Sequence, residues 1–159
     1  MKHSKAQEMK HMPMHWNRLL LMAGLHYIAM FILMYAMVDR FENIFVNLNQ
    51  AYMAAIMTTP MLLIETWLMG SMYENKRALW AIVAGSVLVF AAAFIFIRQE
   101  TAIGDKEFLR SMIPHHGAAI LMCEQAPIED AQIEDLCQRI LSGQQAEIEE
   151  MKLILQRLE

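Results

Sequence analysis

Charge is scarce in this chain. Asp, Glu, Lys and Arg make up 19% of 159 residues, against about a quarter in an ordinary soluble domain. Cysteine is scarcer still, with Cys123 and Cys137 alone, so a scaffold built from disulfides is excluded. Thirteen basic residues face seventeen acidic ones, and no basic face exists to meet a phosphate backbone. Nucleic acid is therefore not an expected partner. No nucleophile stands beside a base, and no phosphate loop or dinucleotide fingerprint occurs, so the chain is not read as an enzyme. What is abundant is apolar: 57% of residues are hydrophobic, which excludes a disordered chain. Methionine is the second excess, at 16 residues.

The apolar excess lies before residue 98. Leu19–Val38 and Ala78–Ile97 each run for 20 residues without a formal charge, and Ala51–Met69 runs for 19 with only Glu65. Each is long enough to cross about 30 Å of hydrocarbon as a helix. The first run is too long for a signal-peptide core, and no small-residue cleavage site follows it. Three buried helices of a soluble protein would be hard to accommodate in a chain this short. The sequence predicts an all-α protein with three transmembrane helices, at 19–38, 51–69 and 78–97.

Lys2, Lys5, Lys10 and Arg18 precede the first span, Lys76 and Arg77 precede the third, and Arg40 is alone in the first loop. By the positive-inside rule the N-terminus is cytoplasmic. The C-terminal part then lies outside a bacterial cytoplasmic membrane, in the periplasm or its equivalent. Residues 98–159 hold 6 basic and 12 acidic residues. In an oxidising compartment Cys123 and Cys137 can pair, stay as thiols or bind metal.

Residues 104–159 read as a helical hairpin. Gly104 can end the third span and Asp105 can cap a helix running to about Glu124. Pro127 marks the break, and a second helix runs from about Asp130 to the end. Its stripe of Cys137, Leu141, Ile148, Met151, Leu155 and Leu158 has the spacing of a helix packed along its length on a partner. Two helices alone cannot enclose a core. A second pair from another copy would complete a four-helix bundle, so a homodimer or higher oligomer is expected.

Chemistry concentrates at Ser111-Met112-Ile113-Pro114-His115-His116. At about 100° per residue, Met112, His115, His116, Met122 and Cys123 share an arc of about 120°. Thioether and imidazole together suit Cu(I), with Ag(I) as its mimic. Zinc more often recruits Cys or carboxylate. Pro114 either sits inside the helix, leaving the Arg110 carbonyl free, or lies in a first turn capped by Ser111. The bland alternative is a packed histidine among methionines that fill gaps.

The run Asp105-x-x-Phe108-x-x-Ser111-Met112-Ile113-Pro114-His115-His116-x-Ala118-Ala119-Ile120-x-Met122 resembles the signature of the CopM-like family of periplasmic copper-binding proteins, which have a ferritin-like helical fold. Ile140-x-x-x-Gln144-Gln145-Ala146-Glu147-Ile148-x-x-Met151 resembles that family's second helix. The resemblance covers about residues 104–159. It implies Cu(I) or Ag(I) binding for buffering, storage or tolerance, through Met112, His115, His116, Met122 and Met151. Larger members carry two helix pairs in one soluble chain. This chain has one pair behind three spans, which favours dimerisation, and Cys123 stands where a small residue is expected.

Counted from Pro127, Met151 falls near or beyond the start of the first hairpin helix, as part of a second site or across a dimer. Gln144 and Glu147 fall closer to the histidines and are candidate hydrogen-bond partners for them, though Glu147 reads equally well as surface. In the spans, Met22, His26, Met30 and Met34 recur at four-residue steps, followed by Met37. Met53, Met57, Met61, Glu65 and Met69 do the same, followed by Met72. Facing stripes would form a ladder of soft ligands for translocating copper; simple packing explains them as well. Glu65 needs a partner inside the bundle, and His26 is one candidate. The segment 1–18 contributes Met9, His11, Met12, Met14 and His15. A different class of function stands beside metal binding: a membrane-anchored helical module for interaction or assembly.

Overall fold

The computed structural model describes residues 16–73 and 75–159, so the Met/His-rich start lies outside the described residues. Every regular element among them is helical. Helix α1 spans Trp16–Leu33 and continues as a 3-10 turn, Met34–Met37. Helix α2 spans Leu48–Leu68, α3 Lys76–Arg98, α4 Asp105–Gln125 and α5 Ala131–Leu158. Three stretches are long and apolar enough to cross a membrane: Trp16–Met37, Leu48–Leu68 and Lys76–Arg98. They begin two or three residues before the apolar runs, because polar end residues complete the helices. Asn47 caps α2 by accepting from the Gln50 amide at 2.9 Å, and Asn75 caps α3 by accepting from the Ala78 amide at 3.1 Å.

The spans expose their large side chains, Leu21, Ile32, Trp80 and Leu88 among them, and bury small or hydroxylated ones: Ala54, Thr58, Thr66, Ser86 and Ala93. That inversion is expected where the surroundings are as apolar as the side chains and small residues let backbones approach. Thr58 and Thr66 donate to the carbonyls of Ala54 and Leu62, one turn back, so their hydroxyls are satisfied within α2. Pro60 removes the donor for the Ile56 carbonyl, and the Thr59 hydroxyl, 3.1 Å from the Ala55 carbonyl, also reaches that oxygen at 3.4 Å.

The α3–α4 connection departs from the sequence reading. Helix α3 ends at Arg98, and the chain turns through Glu100 (φ 49°) and Ala102 (φ 63°), with Gly104 extended as the residue before α4. Two non-glycine residues in the left-handed region cost energy, and partners on α2 hold the turn. Asn49 donates to the Glu100 carboxylate at 3.1 Å and Tyr52 to the Thr101 carbonyl at 3.0 Å. Asp105 is the first helical residue rather than the cap, and with Glu107 it places negative charge at the positive end of α4.

Helices α4 and α5 pair antiparallel over a core of Leu109, Ile113, Ile120, Ile148 and Leu155. Asp130 caps α5, accepting from the amides of Gln132 and Ile133. Cys123 and Cys137 form a disulfide with Cα atoms 5.4 Å apart. Phe45, in the α1–α2 connection, packs against this core.

The connection is bonded to the hairpin at several points. Pro114 lies inside α4, and the Arg110 carbonyl it leaves free accepts from Asn47 Nδ2 at 3.3 Å. The Glu107 carboxylate accepts from the Leu48 amide at 3.0 Å. Gly117 gives room for the Asp39 carboxylate; a Cβ there would collide with it and lie 3.3 Å from Val38 Cγ1.

Two outcomes follow. Replacing both cysteines by serine removes a cross-link over 14 residues, and chemical unfolding in detergent should register a loss of about 3 kcal/mol. Asn47→Ala removes a helix cap and strips the Arg110 carbonyl of its donor, a loss of about 1–3 kcal/mol. It should also speed hydrogen exchange at the Gln50 amide; an unchanged rate there would show that Asn47 does not hold the junction.

Candidate metal centre on the helical hairpin

His116 faces α5 and is 8% exposed. Its Nδ1 lies 2.9 Å from the carbonyl of Met112, one turn back, and its Nε2 lies 2.8 Å from the Glu147 carboxylate. Both partners are acceptors, so both bonds form together when both ring nitrogens carry hydrogen. The Met112 carbonyl fixes the ring plane, and Glu147, with 58% of its side chain exposed, is the solvent-facing partner. Of the two polar neighbours the sequence suggested, Glu147 makes the bond. It is therefore more than surface.

The His116–Glu147 bond and the disulfide together set the register. Cys123 is two residues from the end of α4, while Cys137 is six into α5. The start of α5 therefore overshoots α4, and every later residue of α5 lies nearer the α4 C-terminus than a symmetric turn at Pro127 would put it. Met151, one turn past Glu147, comes to the level of Met112 rather than beyond the start of α4. It is half-buried against the shared core.

The five residues singled out in the sequence divide into groups. Met112, His116 and Met151 occupy facing levels of the two helices. His115 is exposed beside them, its ring centroid 6.0 Å from that of His116. Met122 is 63% exposed and lies six residues on, about 9 Å further along the axis. Cys123, in the disulfide, has no thiolate to offer. Ser111 returns its hydroxyl to the Phe108 carbonyl at 2.9 Å and caps nothing.

Residues of the α1–α2 connection that carried no motif support α4 from behind. Asn43, 2% exposed, donates to Asp39 Oδ1 at 2.7 Å. The other Asp39 oxygen is buried without a hydrogen bond, with Arg40 Nε 3.9 Å away. Among the described residues no three His, Cys, Asp or Glu side chains converge as a hard-metal cage would need.

Fold and site together define an all-α protein in which three helices apolar enough to span a membrane carry a cross-linked helical hairpin with a buried histidine bonded to an exposed glutamate. Residues 98–158 match the family model described as Domain of unknown function (DUF305), a ferritin-like helical family. The chain is 33% identical over 115 residues to the uncharacterized protein L153 of Acanthamoeba polyphaga mimivirus, covering 71% of this chain and 74% of that protein. A stretch of that length includes all of α2 and α3 wherever it starts, so the likeness is not confined to the hairpin. No solved structure matches. Over residues 98–158 the chain belongs to the DUF305 family.

A double-mutant cycle on His116→Ala and Glu147→Ala tests the pair. Glu147→Ala alone should cost about 1 kcal/mol, since its carboxylate is half in water. His116→Ala should cost more because it also empties a buried site. The two losses should fall short of additive by about 0.5–1.5 kcal/mol. Strict additivity would mean that the bond contributes nothing to stability.

Proposed function

We propose that the hairpin binds Cu(I), with Ag(I) as its mimic, through the Met112 and Met151 sulfurs and His116 Nε2, for copper buffering, storage or tolerance. The observation that carries this reading is the orientation of His116. A histidine that donates Nδ1–H to a backbone carbonyl has its other nitrogen aimed and its tautomer fixed, the usual arrangement of a metal-binding imidazole. Here the Met112 carbonyl is that acceptor. Glu147 holds Nε2 in the metal-free arrangement and turns to solvent when an ion takes its place. Methionine on both helices at the same level supplies the soft donors that a monovalent coinage ion prefers. The resemblance to the CopM-like signature points to the same chemistry. His115 and Met122, exposed beside and beyond the site, serve as the entry side. With the N-terminus cytoplasmic, the hairpin meets copper outside the membrane, where its acidic surface concentrates cations.

Ag(I) titration of the full chain in detergent, without reductant so that the disulfide stays closed, tests this reading. His116→Ala and Met112→Leu should each weaken one binding event by about tenfold or more. Met122→Leu should change little. Undiminished affinity and stoichiometry in both His116→Ala and Met112→Leu would leave a packing or assembly role for the hairpin instead.

A further inference from the structure

The methionine stripes of the first two spans do not form a continuous ladder. Met53 and Met57 are 39% and 44% exposed on the bundle surface. The expected His26–Glu65 pair is not made among the described residues; Glu65 instead lies near Tyr73, whose phenol is pushed up mainly by burial and next by that carboxylate. One rung of the two stripes lines a common groove. A groove of about 420 Å³ between α1 and α2, at the end far from the hairpin, is lined by Met22 and His26 of α1 and Met61 of α2.

Met22 and His26 are four residues apart, so their side chains share one face about 5–6 Å apart. The rest of the lining is Leu21, Leu25, Ala29 and, at the mouth, Arg18. His116 is the only histidine whose ring is hydrogen-bonded among the described residues, so His26 is an intramembrane imidazole with no protein partner there. Such a group is costly in hydrocarbon unless it has a ligand to meet. No carboxylate lines the groove, so a hard or borderline cation would find one nitrogen and no oxygen. Two thioethers and an imidazole are a complete soft-donor set.

We propose that this groove is a second soft-cation site, in which Met22, His26 and Met61 take Cu(I) or Ag(I) within the bilayer. It stands whether or not the hairpin binds the same ion. A lipid acyl chain is the competing occupant, and the experiment separates the two.

The test uses the full chain in nanodiscs, with the disulfide intact and Ag(I) as probe. Peroxide oxidation of each methionine is followed by mass spectrometry of its peptide. A sulfur that coordinates silver is withheld from oxidation, so saturating Ag(I) should slow sulfoxide formation at Met22 and Met61 by about tenfold while Met53 and Met57 keep their rates. A companion measurement counts bound Ag(I) in His116→Ala. Adding Met22→Leu and Met61→Leu, which preserve volume, should remove one further equivalent. Unchanged oxidation of Met22 and Met61 under saturating Ag(I), as acyl-chain occupancy would give, overturns the proposal. So does unchanged stoichiometry on adding the two leucines. The footprint is read on the unaltered protein, so it decides the matter even if the variants fold poorly.

Discussion

A proline inside a helix leaves one carbonyl without its donor, and the organisation of this molecule turns on how that deficit is met twice. In α2, Pro60 frees the Ile56 carbonyl and the preceding residue, Thr59, reaches it. In α4, Pro114 frees the Arg110 carbonyl and the donor comes from 63 residues away, on Asn47. The first solution is local and keeps a span self-sufficient in hydrocarbon. The second joins the hairpin to the start of α2. Because Asn47 also caps α2, one buried side chain fixes the helix terminus and the face of α4 that lies against it.

From that junction the rest of the hairpin is constrained. One side of α4 is held against the α1–α2 connection through Gly117 and Asp39, and Phe45 packs on the core from that connection. The opposite side is left for α5. His116 then lies on the α5 side, with its ring set by the Met112 carbonyl and its free edge toward Glu147. The disulfide at the far end prevents the two helices from sliding, which keeps Met151 at the level of Met112. Each constraint is modest alone. Together they orient one imidazole edge and bring Met112 and Met151 to one level of the two helices.

The apolar parts of this architecture were readable directly. Runs such as Ala78–Ile97 show by length and composition alone that they are apolar enough to cross a membrane, and the stripe from Cys137 to Leu158 needs only helical periodicity to be seen. The histidine pair after Pro114 was equally visible, because imidazole and thioether clusters are uncommon in helices. The hairpin register was not visible, since counting from Pro127 assumes a symmetric turn. In fact α4 stops at Gln125 and α5 begins at Ala131, with unequal overhangs. Nor was the left-handed turn at Glu100 and Ala102. Sequence points to Gly104 for such a turn, whereas α2 side chains hold it elsewhere.

By itself the sequence determined which segments are apolar enough to cross a membrane, which helix faces bury, and which residue types can bind a soft ion. These depend on composition and on period, both local properties of a chain. Tertiary structure alone decided that Asn47 serves Pro114, that Gly117 makes room for Asp39, that Glu147 rather than Gln144 holds His116, and that Met61 joins Met22 and His26. Each is a meeting of residues distant in sequence. Its geometry depends on helix register and on a few buried hydrogen bonds that no periodicity encodes.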